Sequence, residues 1–128
     1  MNRLALLGAT ALVWSGCLLA AAGGAGGGIY FTSQGVESVV VAPVESVTSA
    51  TERAFADLGL TRTELEIDED GQTLRAKPAD GGDPEVTVSI RHEGETSSRV
   101  EVTARNSLVT WDKDYAREVL KKIVKYSG

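Results

Sequence analysis

The chain has 128 residues and a formal net charge of -5 at pH 7. A single cysteine rules out a disulfide-stapled fold, and the acidic balance argues against a nucleic-acid binder, which needs a basic surface. The apolar residues are unevenly spread: 20 of them fall in residues 1–31, so a greasy leader precedes an ordinary polar domain and only one segment is apolar enough to span a bilayer.

The chain starts Met1-Asn2-Arg3, runs through an apolar stretch from Leu4 to Val13, and reaches Trp14-Ser15-Gly16-Cys17. One positive charge, about ten apolar residues and then small residues are the layout of a secretory signal peptide. With the cysteine directly after Ser15-Gly16, this stretch resembles the bacterial lipoprotein lipobox, although Trp14 stands where a small or branched aliphatic residue is usual. The resemblance implies a diacylglycerol thioether on Cys17, cleavage before it, and acylation of the new amino group. An unpaired thiol in an exported protein is a liability unless it is used, and two or more acyl chains anchor stably where one is marginal. The alternative is an uncleaved anchor, since residues 4–22 carry no charge. Cleavage removes Arg3 and no acid, which takes the charge from -5 to -6. Leu18 stands where aspartate would signal inner-membrane retention in enteric bacteria, so by analogy the outer membrane is expected.

An Ala/Gly tract follows. Gly23/Gly27 and Gly24/Gly28 have the GxxxG spacing that lets membrane helices approach closely, but a run this rich in glycine reads first as a flexible tether. A phosphate-binding loop would need a preceding strand and a following Lys-Ser/Thr, and neither is there. The expected organisation is a signal peptide over 1–16, a lipidated cysteine and tether over 17–35, and one domain over 36–128.

Within the domain, Ser38 to Ala42 reads as a short β-branched strand buried on both faces. A helix is predicted from about Pro43 to Leu58, with Val44, Val47, Thr51, Ala54, Phe55 and Leu58 on one stripe and Gly59 past its end. Four alternating strands follow. Thr61 to Asp68 places Thr61, Thr63, Leu65 and Ile67 on one face. Asp70-Gly71 signals a hairpin turn. Thr73 to Pro78 turns Leu74 and Ala76 inward, Glu85 to Arg91 turns Val86, Val88 and Ile90 inward, and Arg99 to Arg105 turns Val100, Val102 and Ala104 inward. Arg99, Glu101, Thr103 and Arg105 leave one sheet face wet. A last helix runs from about Asp112 to Lys125, with Ala116, Val119, Leu120 and Ile123 as its stripe and charges ordered to suit its dipole. The predicted fold is α+β: a two-layer sandwich with a mostly antiparallel sheet of about five strands (β-α-β-β-β-β-α) and both helices on one face, because a sheet with one greasy side needs a cover. Phe55 and the Val86/Val88/Ile90 set are expected at its centre.

The whole chain resembles a family of small Gram-negative envelope lipoproteins known only as a domain of unknown function. The likeness rests on Ser15-Gly16-Cys17, the tract 20–28, the strand into Pro43, the segment Ala50-Thr51…Ala54-Phe55-Ala56-Asp57-Leu58-Gly59-Leu60, and the closing amphipathic helix. A weaker likeness, at the level of fold alone, is to the repeated domains of BamC, an outer-membrane assembly lipoprotein. Neither transfers an activity.

Little in the chain suggests chemistry. His92 is the sole histidine and stands in phase with Ile90 at a strand end, where a structural or solvated role is expected. No cofactor is expected, and one histidine with one lipidated cysteine makes no zinc site. The run Glu66, Asp68, Glu69, Asp70 fails the EF-hand pattern, because Thr73 and Ala79 occupy the glycine and bidentate-acid positions. Glu64 and Glu66 share a wet face, as exposed alternation alone would place them. Trp111 is expected to pack under the last helix; with Lys121, Lys122 and Lys125 it is a candidate partner or membrane contact. The expected role is a non-enzymatic, membrane-anchored envelope module with a protein partner. The alternatives are a periplasmic inhibitor acting through loop 79–84 and a periplasmic enzyme with an unrecognised site.

Overall fold

The computed structural model describes residues 28–107 and 110–128. Six strands form one antiparallel sheet: β1 (Tyr30–Phe31), β2 (Gly35–Val40), β3 (Leu60–Asp68), β4 (Gly71–Pro78), β5 (Glu85–His92) and β6 (Ser98–Arg105). Their order is β1-β2-β6-β5-β4-β3. Two helices, α1 (Val44–Asp57) and α2 (Lys113–Ser127), cover one face. The fold is therefore α+β as predicted, with one strand more than expected.

The core lies between sheet and helices because each strand's inward set is apolar and each helix has one apolar stripe. Phe55 is buried, Val86, Val88 and Ile90 are fully buried, and so are Val100, Val102 and Ala104 on β6. From the helices come Val47 and Ala54 on α1 and Ala116, Val119, Leu120 and Ile123 on α2. Three buried hydroxyls each find a carbonyl: Ser38 Oγ donates to Gly28 O at 2.7 Å, Ser98 Oγ to Ala42 O at 2.7 Å, and Thr51 Oγ1 to Val47 O at 2.8 Å.

Helix ends follow their sequence signals. Pro43 is the residue before the first turn of α1, where its missing N–H costs no helical bond. Gly59, at φ 71°, sits just past the other end. On α2 the Asp112 carboxylate accepts the Tyr115 N–H at 3.0 Å.

Four expectations need correction. Tyr30, Phe31 and Gly35, assigned to the tether, belong to the sheet: Tyr30 and Phe31 pair with Glu37 and Val36. The Thr32-Ser33-Gln34-Gly35 turn closes this hairpin, with Thr32 N donating to Gly35 O at 2.8 Å. Secondly, β2 is buried on one face only. Val36, Ser38 and Val40 point inward, whereas Val39 is half-buried on the other face, paired with Arg99.

Thirdly, a register shift between Arg62 and Glu64 breaks the alternation of β3. Leu60 and Arg62 therefore share the helix side with Leu65 and Ile67, and Thr61 does not. Finally, Glu69 and Asp70 are the central turn residues, one position earlier than the Asp-Gly pair suggests. Asp68 closes the turn by accepting the N–H groups of Asp70 and Gly71 at 2.8 and 3.0 Å. Gly71 is needed for a different reason: a Cβ there would meet the Ile90 carbonyl oxygen at 1.9 Å.

Candidate functional site

The helices leave the other sheet face open, and its residues follow from the register. Glu64, Arg75, Thr87 and Thr103 lie in one cross-strand row, and Glu85 stands opposite Arg105 in the next. Ion pairs run within each row, and a third lies further along the same face. Arg105 Nη2 reaches Glu85 Oε1 at 2.8 Å, Arg75 Nη1 reaches Glu64 Oε2 at 3.6 Å, and Arg99 Nη1 reaches Glu37 Oε1 at 3.7 Å. Such exposed pairs contribute little to stability, so their effect is to set the chemistry of the surface.

Trp111 joins this face. The chain leaves β6, turns, and comes back beside it: Asn106 N donates to Thr110 O at 2.9 Å and Asp112 N to Ala104 O at 2.7 Å. The resulting bridge pairs Trp111 with Arg105. Directly paired residues share a face, so the indole lies on the open side, with the Arg105 guanidinium 5.9 Å from its ring centre. The expectation that it packs under the helix is therefore corrected. The backbone bridge holds Trp111 beside β6 just before the helix begins.

Arg75, Glu85, Thr87, Thr103, Arg105 and Trp111 line a shallow concavity of about 200 Å³. A neighbouring concavity shares Glu85 and Arg105 and adds Lys77, Asp83 and Ser107. The second, about 340 Å³, lies at the lower end of the roughly 300–1,000 Å³ typical of small-molecule pockets, and the first is smaller. It offers an aromatic edge, hydroxyls and charges already neutralised by neighbours, which suits contact with another polar surface.

Nucleophilic chemistry would need a base beside a hydroxyl. His92 is exposed at the end of β5 opposite Ser98, whose hydroxyl is buried and donates to the Ala42 carbonyl at 2.7 Å. Among the described residues no group of three or more His, Cys, Asp or Glu side chains converges for a metal ion.

The lysines lie elsewhere. Lys121 pairs with Glu118 at 3.8 Å and Lys122 with Asp57 of α1 at 3.8 Å. The Lys125 ammonium sits 5.5 Å from the centre of the Tyr126 ring. Tyr126 also donates its hydroxyl to Asp57, and the Arg53 guanidinium lies 4.1 Å from its ring centre. The hydrogen bond to Asp57 pushes the Tyr126 phenol above its ordinary value, with burial and the Asp57 charge adding to it. This cluster clamps the C-terminal ends of the two helices together. Trp111 lies outside α2 on the open side of the sheet, whereas Lys125 is twelve residues or about 18 Å along α2 from Lys113 on the other side, so the structure does not bring these candidates into one surface.

Loop 79–84 is exposed apart from half-buried Pro84 and is held at two points: Gly81 N donates to Pro78 O at 2.8 Å, and Gly82 N to Asp80 Oδ1 at 2.8 Å. Ser15, Gly16 and Cys17 lie outside the described residues. Alternation alone showed that Arg75, Glu85 and Thr87 point outward. Their meeting depends on strand order, and no local pattern signals it.

These features define a two-layer α+β domain with an open, polar sheet face. The chain belongs to the family described as "Protein of unknown function (DUF3568)", whose model matches residues 2–126. No curated protein matches it.

Proposed function

We propose that this protein is an envelope lipoprotein, anchored by acyl chains on Cys17 and facing the periplasm, whose domain binds a protein partner without catalysing a reaction. The reading rests on the order of features along the chain. A charge-free apolar segment ends in Ser15-Gly16-Cys17, and eleven residues later (28 - 17) Ser38 grips the Gly28 carbonyl. An interval of eleven residues spans at most about 40 Å, so a Cys17 anchor would hold the domain close to the bilayer surface. No described helix is long and apolar enough to cross a membrane, and acyl anchoring requires none. Leu18, in place of aspartate, favours the outer membrane.

Metabolic labelling with palmitate tests the anchor. The wild-type chain is expected to take up label and lose its leader, and Cys17→Ala to do neither. Equal labelling of the variant, or a wild-type chain that keeps Met1 and an unmodified thiol, would refute the proposal.

A further inference from the structure

The two edges of the sheet differ. β1 is two residues long, whereas β3 is nine, and every residue from Thr61 to Asp70 is exposed. An edge strand carries a row of unpaired N–H and C=O groups that can template another strand. Beyond the register shift, Glu64 to Asp68 pairs regularly with Gly71 to Arg75, leaving the opposite edge of this run without a neighbouring strand among the described residues.

The two faces of this run have opposite chemistry. Glu64, Glu66 and Asp68 alternate on the open side of the sheet. Leu65 and Ile67 lie on the helix side, and Ile67 is 69% exposed. On β4 and β5 the Glu66 row continues through Thr73 and Ser89, which are neutral, and Glu66 forms no ion pair among the described residues.

A second copy does not fit this edge. In an antiparallel pair, opposite residues share a face, so Leu65 against Ile67 sets Glu66 against Glu66 and Glu64 against Asp68. Other registers that match the faces of this run also oppose acids to acids, and like charges directly opposite destabilise a pair. An anionic membrane surface is repelled for the same reason. The complement is an extended segment that sets Lys or Arg against the acids and aliphatic residues against Leu65 and Ile67. We propose that the β3 edge binds such a basic–aliphatic alternating segment of a partner polypeptide, which adds to the sheet as a seventh strand. This deepens the binding half of the proposed function and is independent of the anchor.

The test uses the full chain in a neutral detergent and a capped nine-residue peptide of alternating Lys and Val. The peptide is expected to bind and to slow hydrogen exchange in residues 63–68. A peptide of the same charge with alternate backbone amides N-methylated cannot form the ladder, and is expected to bind at least about tenfold more weakly. Glu66→Lys is expected to weaken the Lys/Val peptide roughly three- to tenfold and to strengthen its Glu/Val counterpart. Three results would overturn the proposal: equal affinity for the N-methylated peptide, protection at another element, or a neutral-pH dimer whose exchange protection maps to β3. Cys17 labelling is a separate readout, so failure of the anchor leaves this result unaffected.

Discussion

Leu65 and Leu74 stand directly opposite one another in the β3–β4 ladder. Both are leucines on the helix-facing side of antiparallel strands, yet Leu74 is completely buried and Leu65 is 38% exposed. Replacing each with alanine therefore separates burial from strand pairing. At Leu74 the substitution removes buried carbons and leaves a space that the surrounding core fills only in part. Buried Leu→Ala changes cost about 2–5 kcal/mol, and a position with no exposure belongs near 3 or above. At Leu65 only about three-fifths of the side chain is covered, and the vacated volume opens to water without forming a cavity, so the cost is about 1–1.5 kcal/mol. Urea unfolding followed by circular dichroism measures both as shifts in midpoint at constant slope. The Leu74→Ala shift should be at least about twice that of Leu65→Ala. Equal losses would mean that β3 is covered, and would refute both this reasoning and the free edge on which strand addition depends.

Two further outcomes test local features. Gly71→Ala drives a methyl into the Ile90 carbonyl and should cost more than about 2 kcal/mol, whereas Gly59→Ala, with nothing within 4 Å, should cost only about the 1–2 kcal/mol of left-handed backbone; similar melting temperatures for the two variants would contradict the close approach. Arg99 holds Glu93 through two hydrogen bonds of 2.8 and 3.1 Å, which lower the Glu93 carboxyl below its ordinary value. That contribution is present above the unfolded carboxylate value of about 4.3 and is lost as pH falls through the lower folded value. Glu93→Gln should therefore melt slightly lower than wild type at pH 7, and the gap should narrow as the pH is taken below about 4.3; a gap that stays constant on acidification would count against the pairing.

Much of this architecture is readable along the chain because it depends on neighbours in sequence. Alternation in 85–91 and 99–105 gives strands, and it gives the correct inward sets Val86/Val88/Ile90 and Val100/Val102/Ala104. Three- and four-residue spacing gives both helices, and the Ala54/Phe55 and Leu120/Ile123 positions that fill the core. Asp112 and Gly59 mark helix ends through bonds or backbone angles that span only a few residues.

Long-range pairing decided the rest. Tyr30-Phe31 is too short to read as a strand alone and becomes one only because Val36 and Glu37 lie beside it. The β3 register shift is invisible to a period-two pattern, which ran straight through Thr63 and put Thr61 on the wrong face. Trp111 looks like a residue tucked beneath a helix until the bridge to Arg105 turns it to the opposite side of the sheet. Leu65 and Leu74 carry the same local signal, and only the reach of the helix layer makes one a core residue and the other part of an open edge. A periodic pattern determines which side chains share a face; which strands adjoin, and how far the cover extends over them, is set by packing between segments distant in the chain.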